Sequence, residues 1–229
     1  MKKIDILVIL IVLLIFTPFF IFPEVYGGYK TFNLAHPLIM AFIKFSLLAT
    51  FGEMLGLRIK TGKYTTPEFG VIPKAVVWGF LGMWIALAMN VFRTGIPEFL
   101  SQYPLFEGIK FAMSAPFSCL KLCGAFFVSL MMNLSFAPVF MTLHKITDTH
   151  ILQNNGKLSA LVTPVQMEKI ISELNWKVQW GFVFKKTIPL FWIPVHTLTF
   201  VLPSDFQVLF AAFCSIILGL ILSIASLKK

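Results

Sequence analysis

Three ionisable side chains stand inside otherwise apolar stretches of this sequence: Lys44, Glu53 and Lys121. Placing such a group at mid-bilayer is costly, so it marks a bundle interior or a watery face unless a long stem carries the charge to the headgroups. Lys44 and Lys121 each lie about six residues past the outer end of their segment, roughly 9 Å deep at 1.5 Å per residue. At a shared depth they could form a basic outer vestibule, with Glu53 near the inner end; snorkelling explains either lysine alone. His144, Asp148 and His150 could ligate a metal, but a solvated loop is the commoner origin of such spacing. Cys119 and Cys123 share a helix face with no histidine or carboxylate beside them, and Cys214 is likewise in an apolar segment, so all three read as small core residues. No Gly-rich phosphate loop, nucleophile elbow or HExxH motif occurs. No catalytic, cofactor-binding or metal residue is assigned, no cofactor is expected, and the chain is not expected to be an enzyme.

The elements that must position these groups are membrane helices. Hydrophobic residues make up 58% of the 229 residues and charged ones 13%, and mean hydropathy is +0.86. A soluble domain is about a quarter charged, so this chain cannot cover its surface with polar groups. The expected fold class is an all-α polytopic helix bundle, forming a single membrane domain over 1–229. Six apolar segments are drawn, at 4–22, 38–57, 75–93, 115–143, 187–203 and 205–227. The first follows a basic start without a small-x-small cleavage site, which predicts a retained signal-anchor helix within 1–30. Pro116 and Pro138 predict a kink near one end of the fourth. Pro189 and Pro194 predict that the fifth is packed inside the bundle, where neighbours can satisfy the freed carbonyls.

The net charge of +9 is spread over segment ends instead of forming one stripe, which excludes nucleic acid and points to topology. With the N-terminus inside, Lys2, Lys3, Arg58, Lys60, Lys63, Lys74, Lys145, Lys157, Lys169, Lys177, Lys228 and Lys229 fall on the cytoplasmic side, against Lys30, Arg93 and Lys110 outside. That bias predicts both termini in the cytoplasm. Without the Arg-rich, Ser-rich character of an organelle transit sequence, a bacterial plasma membrane is the expected location. Expected partners are the lipid bilayer and a second copy of the chain. Between the fourth and fifth segments, TPVQMEKIISELNW predicts an amphipathic helix capped by Thr163, with Pro164 in its first turn and Gln166 completing a capping box. Met167, Ile170, Ile171 and Leu174 would lie on one side, flat on the interface, leading to Trp176 and Trp180.

Gly52 and Gly56 form a small-x-x-x-small face that lets another helix approach. With His36-Pro37 ahead and Glu53 beside Gly52, the segment resembles the start of the Mpv-seventeen and twenty-two-kilodalton peroxisomal membrane protein family. Gly79-Phe80-Leu81-Gly82 resembles that family's second-helix glycine pattern, although Met83 stands where proline is usual and Ala88-Met89 where Trp-Tyr is usual. Phe136-Ala137-Pro138 resembles its third-helix pattern, with Met132-Asn133 in place of an Asp-Gln pair. Trp192, His196, Thr199-Phe200, Pro203, Gln207 and Leu222-Ser223 resemble its C-terminal signature, with one residue missing between Phe200 and Pro203 and Gln207 replacing an arginine.

The likeness spans 36–223, leaving the first helix outside it, and implies a divergent, bacterial member. It also implies a small helical membrane protein of the kind proposed to form channels or metabolite pathways, without agreed catalytic chemistry. The functional expectation is a channel or small-solute pathway, the alternative a non-transporting assembly or scaffold protein. Asn133 and His196 join Lys44, Glu53 and Lys121 as candidate pathway-lining residues. Gly52, Gly56, Gly79, Gly82, Pro138, Trp192, Pro203 and Ser223 are the candidate packing or kink positions.

Overall fold

The first helix is Leu-, Ile- and Val-rich on every side, and α1 (Lys3–Ile21) accordingly presents no buried face. A computed structural model describes residues 3–226. Lys2, Lys228 and Lys229, which entered the charge argument, lie outside the described residues, as does the side chain of Leu222. Among the described residues, five helices are long and apolar enough to cross a membrane: Lys3–Ile21, Pro37–Thr61, Pro67–Leu100, Cys119–Gln153 and Ser204–Ile221. The chain is an all-α bundle, as expected of a multi-pass membrane protein, with no strand among the described residues.

The contacts divide the chain at Met40–Ala41. In the first unit, α1 is followed by α2 (Pro23–Ala35), which starts on Pro23, where the missing N–H costs nothing. Phe19 and Tyr29 meet edge to face at 5.7 Å.

The second unit holds most of α3 (Pro37–Thr61), then α4 (Val71–Leu100), α5 (Ile109–Ser114), α6 (Cys119–Gln153), α7 (Met167–Glu173) and a single turn α8 (Trp176–Val178). A π-helix (Gln179–Trp192), α9 (Ile193–Val201) and α10 (Ser204–Ser226) complete it. Lipid tails are as apolar as leucine, so close packing and polar bonds must hold these helices together. Glycine supplies the closeness. A Cβ on Gly79 or Gly82 would lie 2.4 Å from Phe42 or Phe45, and the Ser46 hydroxyl donates to the Ala75 carbonyl at 2.7 Å, so α3 side chains lie directly on the bare backbone of α4. A Cβ on Gly52 would meet Ile216 at 3.0 Å and one on Gly56 the Ser223 hydroxyl at 2.9 Å, which seats α3 against α10 in parallel.

The loops joining α3 to α4 and following α6 cross where Gly70 (φ 66°) and Gly156 (φ 66°) touch; a Cβ on Gly156 would lie 2.3 Å from the Pro67 carbonyl oxygen. Only glycine combines that backbone conformation with that approach.

Several boundaries differ from the sequence reading. The fourth segment starts at Cys119, after a break containing Pro116, and runs on as helix to Gln153, ten residues past 143. His144, Asp148 and His150 are therefore helical, not in a loop: Glu53 on α3 and Lys74 on α4 partner the first two, and the Ala160 carbonyl partners His150. The fifth segment is a composite. Pro189 and Pro194 remove two donors from an α register, and the chain runs as π-helix to Trp192 before regular α geometry resumes. The amphipathic helix starts at Met167 without a side-chain cap, because the Thr163 hydroxyl donates to Ser159 in the preceding turn. Ile170 and Leu174 pack on Ile146 of α6, leaving Met167 and Ile171 exposed.

Candidate functional site

An elongated cavity of about 810 Å³ runs between α3, α4, α6, the π-helix, α9 and α10. Along α6 its lining extends from Met132 to Leu152, about 30 Å of helix axis. Phe45, Trp78, Ile85, Phe136 and Phe140 give it apolar walls. All of its charged residues, Glu53, Lys60, Glu68, Lys74, Lys145 and Asp148, lie toward one end, where α3 ends, α4 begins and α6 ends. Beyond the opposite end lie Met89, Ala125, Val128 and Phe200, which pack together and line no part of it.

The charged end is tied together by Glu53. Lys74 Nζ donates to Glu53 Oε2 at 2.6 Å and also to Asp148, so one ammonium bridges two helices. Trp78 Nε1 donates to Glu53 Oε1 at 2.8 Å, and His144 Nε2 lies 3.1 Å from the same oxygen. Lys145 approaches Asp148 Oδ2 at 3.8 Å. Lys74 is 9% exposed. A cation so buried persists because two carboxylates hold it, and Glu53 in turn has further polar partners in Trp78 and His144. His144 also lies against Trp78, with ring centroids 4.4 Å apart. Local helical geometry builds this arrangement: His144 and Asp148 are one turn apart on α6, as are Lys74 and Trp78 on α4, so each helix presents two polar groups on one face.

Farther in, the fully buried Asn133 places its amide 3.0 Å from His196 Nδ1 and donates to the Ser129 carbonyl at 2.9 Å. Ser129 donates to the Ile193 carbonyl at 2.7 Å, fixing α9 on α6. Trp192 stacks on His196 at 5.0 Å with its indole N–H buried and without a partner, as is the Gln179 amide nitrogen. Both residues line the cavity.

Of the five candidate pathway residues, Glu53, Asn133 and His196 line this cavity; Lys44 and Lys121 lie off it. Lys44 is buried with Asp205, at the start of α10, as its electrostatic partner. Lys121 donates to the Ala115 carbonyl at 2.8 Å, closing the break before α6. Neither amine stands in a shared vestibule. Among the packing candidates, Gly52, Gly56, Trp192 and Ser223 also border the cavity, Gly79 and Gly82 face α3, and Pro138 sits within α6. Pro203 precedes α10, where the Leu202 carbonyl accepts from Gln207. His150 turns away from the cluster to the Ala160 carbonyl at 3.0 Å, and no group of three metal-binding side chains occurs among the described residues.

Lys74 and Trp78 were not among the sequence candidates, and His144 and Asp148 were weighed only as metal ligands, with a solvated loop preferred. The signal for them was the four-residue spacing of His144 and Asp148, readable only once α6 is known to continue past 143. No family model, curated protein or solved structure matches the chain.

Proposed function

We propose that this protein is a membrane pathway for a small solute, held in the cavity and released through its charged end. The supporting observation is an 810 Å³ cavity within a membrane-type bundle, with apolar walls and all of its charged side chains at one mouth. Ligand sites have this character: concave, about 300–1,000 Å³, mostly apolar, with a few placed polar groups. In this reading the Glu53–Lys74–Asp148 network is the gate, since its bonds are what tie α3, α4 and α6 at the mouth. A scaffold would need no such space, and its small-residue faces would be free for partners; here Gly52, Gly56, Gly79 and Gly82 are used within the bundle.

The same proposal places the charged end and both termini on the cytoplasmic side of a bacterial plasma membrane, with the lysine bias as support. Membership of the Mpv-seventeen and twenty-two-kilodalton peroxisomal membrane protein family is part of it, on the ordered motifs alone. The test is flux. Purified protein in liposomes should pass at least one member of a panel of ions and metabolites faster than protein-free vesicles, and Ala137→Phe, which fills the cavity, should slow that passage. No flux above background for the whole panel sinks the pathway.

A further inference from the structure

The cavity walls and its mouth ask for different chemistry in one ligand. Above the mouth, Phe45, Ile85, Met132, Phe136 and Phe140 surround space along much of the 30 Å of α6 that lines the cavity. A compact polar metabolite would leave most of that wall unused. At the mouth, the ammonium groups are unequally satisfied. Lys74 is shared by Glu53 and Asp148. Lys145 reaches Asp148 only at 3.8 Å, and its other charged neighbours are Lys74, Glu53 and Lys60. Lys60 is exposed, lines the mouth and has no carboxylate partner among the described residues. Glu68 also lines the mouth, from the exposed turn before α4, and pairs with none of these lysines. Lys60 and Lys145 therefore bring to the mouth two ammonium groups that no carboxylate among the described residues holds at hydrogen-bond distance.

We propose that the cavity binds a single-chain anionic amphiphile, its carboxylate or phosphate held by Lys60 and Lys145 and its apolar chain lying along the Phe136–Phe140 wall. This rests on the pathway reading in taking the cavity as the place where solute is held. Glu53 already accepts from Lys74 and Trp78, so a cationic head seated on it would have to displace Lys74. At the far end Met89, Val128 and Phe200 pack together, and the polar Asn133 and His196 near it are bonded to each other.

The test uses the full-length protein in phosphatidylcholine nanodiscs, with dibrominated stearate as a quencher of Trp78 and Trp192 fluorescence. Quenching should saturate, and both oleate and lysophosphatidate should compete for it. Oleyl alcohol, acetate and inorganic phosphate at equal concentration should not. Lys60→Gln with Lys145→Gln should weaken stearate about tenfold, and Ala137→Phe should abolish saturable quenching while both variants remain folded by circular dichroism. Equal competition by oleyl alcohol, unchanged affinity in the double variant, or quenching that survives Ala137→Phe overturns the proposal. So does competition by acetate or phosphate alone, which would mean a simple anion site. Liposome flux separates the two ideas: flux of a hydrophilic solute without amphiphile binding overturns the ligand and leaves the pathway, whereas saturable binding without transbilayer movement overturns the pathway and leaves the site.

Discussion

Lys74→Met removes the charge that joins three helices while keeping a stem of similar length. In the native protein Lys74 Nζ bridges Glu53 and Asp148, whose side chains are 23% and 27% exposed. Removing one partner of a buried ion pair costs about 3–5 kcal/mol, because the other charge stays buried and unpaired. Glu53 keeps Trp78 and His144, and both carboxylates retain some solvent, so the low end applies, about 3 kcal/mol. The assay is reversible unfolding in mixed micelles, followed by tryptophan fluorescence. Lys110→Met is the control: its partner Glu98 is 60% exposed and Lys110 itself 55%, so less than about 0.5 kcal/mol should be lost. A double-mutant cycle with Glu53→Gln should give a coupling above about 1 kcal/mol. If Lys74→Met costs no more than Lys110→Met, or the cycle shows no coupling, the network does not hold α3, α4 and α6 together and the gate loses its basis.

Gly79→Ala should lower the unfolding midpoint, since its Cβ would lie 2.4 Å from the Phe42 ring and 2.5 Å from the Ser46 hydroxyl, whereas Gly95→Ala, with nothing within 4 Å, should be neutral or raise it. Equal midpoints would mean that α3 and α4 do not pack on that face. Gly156→Ala combines a left-handed backbone with a 2.3 Å approach to the Pro67 carbonyl oxygen, and should cost at least about 2 kcal/mol, read by the same unfolding assay. A wild-type midpoint there would contradict the crossing of the two loops. Reporter fusions after Lys229 and within 60–72 should both read cytoplasmic; a periplasmic signal at either place refutes the proposed orientation.

What the sequence determined by itself was whatever depends on local composition and period. Apolar runs longer than a soluble core helix requires specify membrane-type helices, and Gly52 and Gly56, one turn apart, can be read as a face before any partner is known. The same logic exposes Glu53 as an anomaly needing an explanation, but supplies no partner for it. Tertiary structure decided the partners. Glu53 meets Lys74 and His144, 21 and 91 residues away in sequence, and no periodicity encodes such distances. Hydropathy also ended the fourth helix at 143, because His144, Asp148 and His150 are polar by type; partners on α3 and α4 for the first two, and the Ala160 carbonyl for His150, are what let the helix continue through them. Lys44 and Lys121 fail in the opposite sense. Their matching depth was legible from the 1.5 Å rise, but the direction in which each side chain turns, toward Asp205 or the Ala115 carbonyl, depends on which helix packs beside it. Segment length and hydropathy act through neighbours along the chain, whereas the charge that satisfies a buried group comes from wherever the bundle brings one.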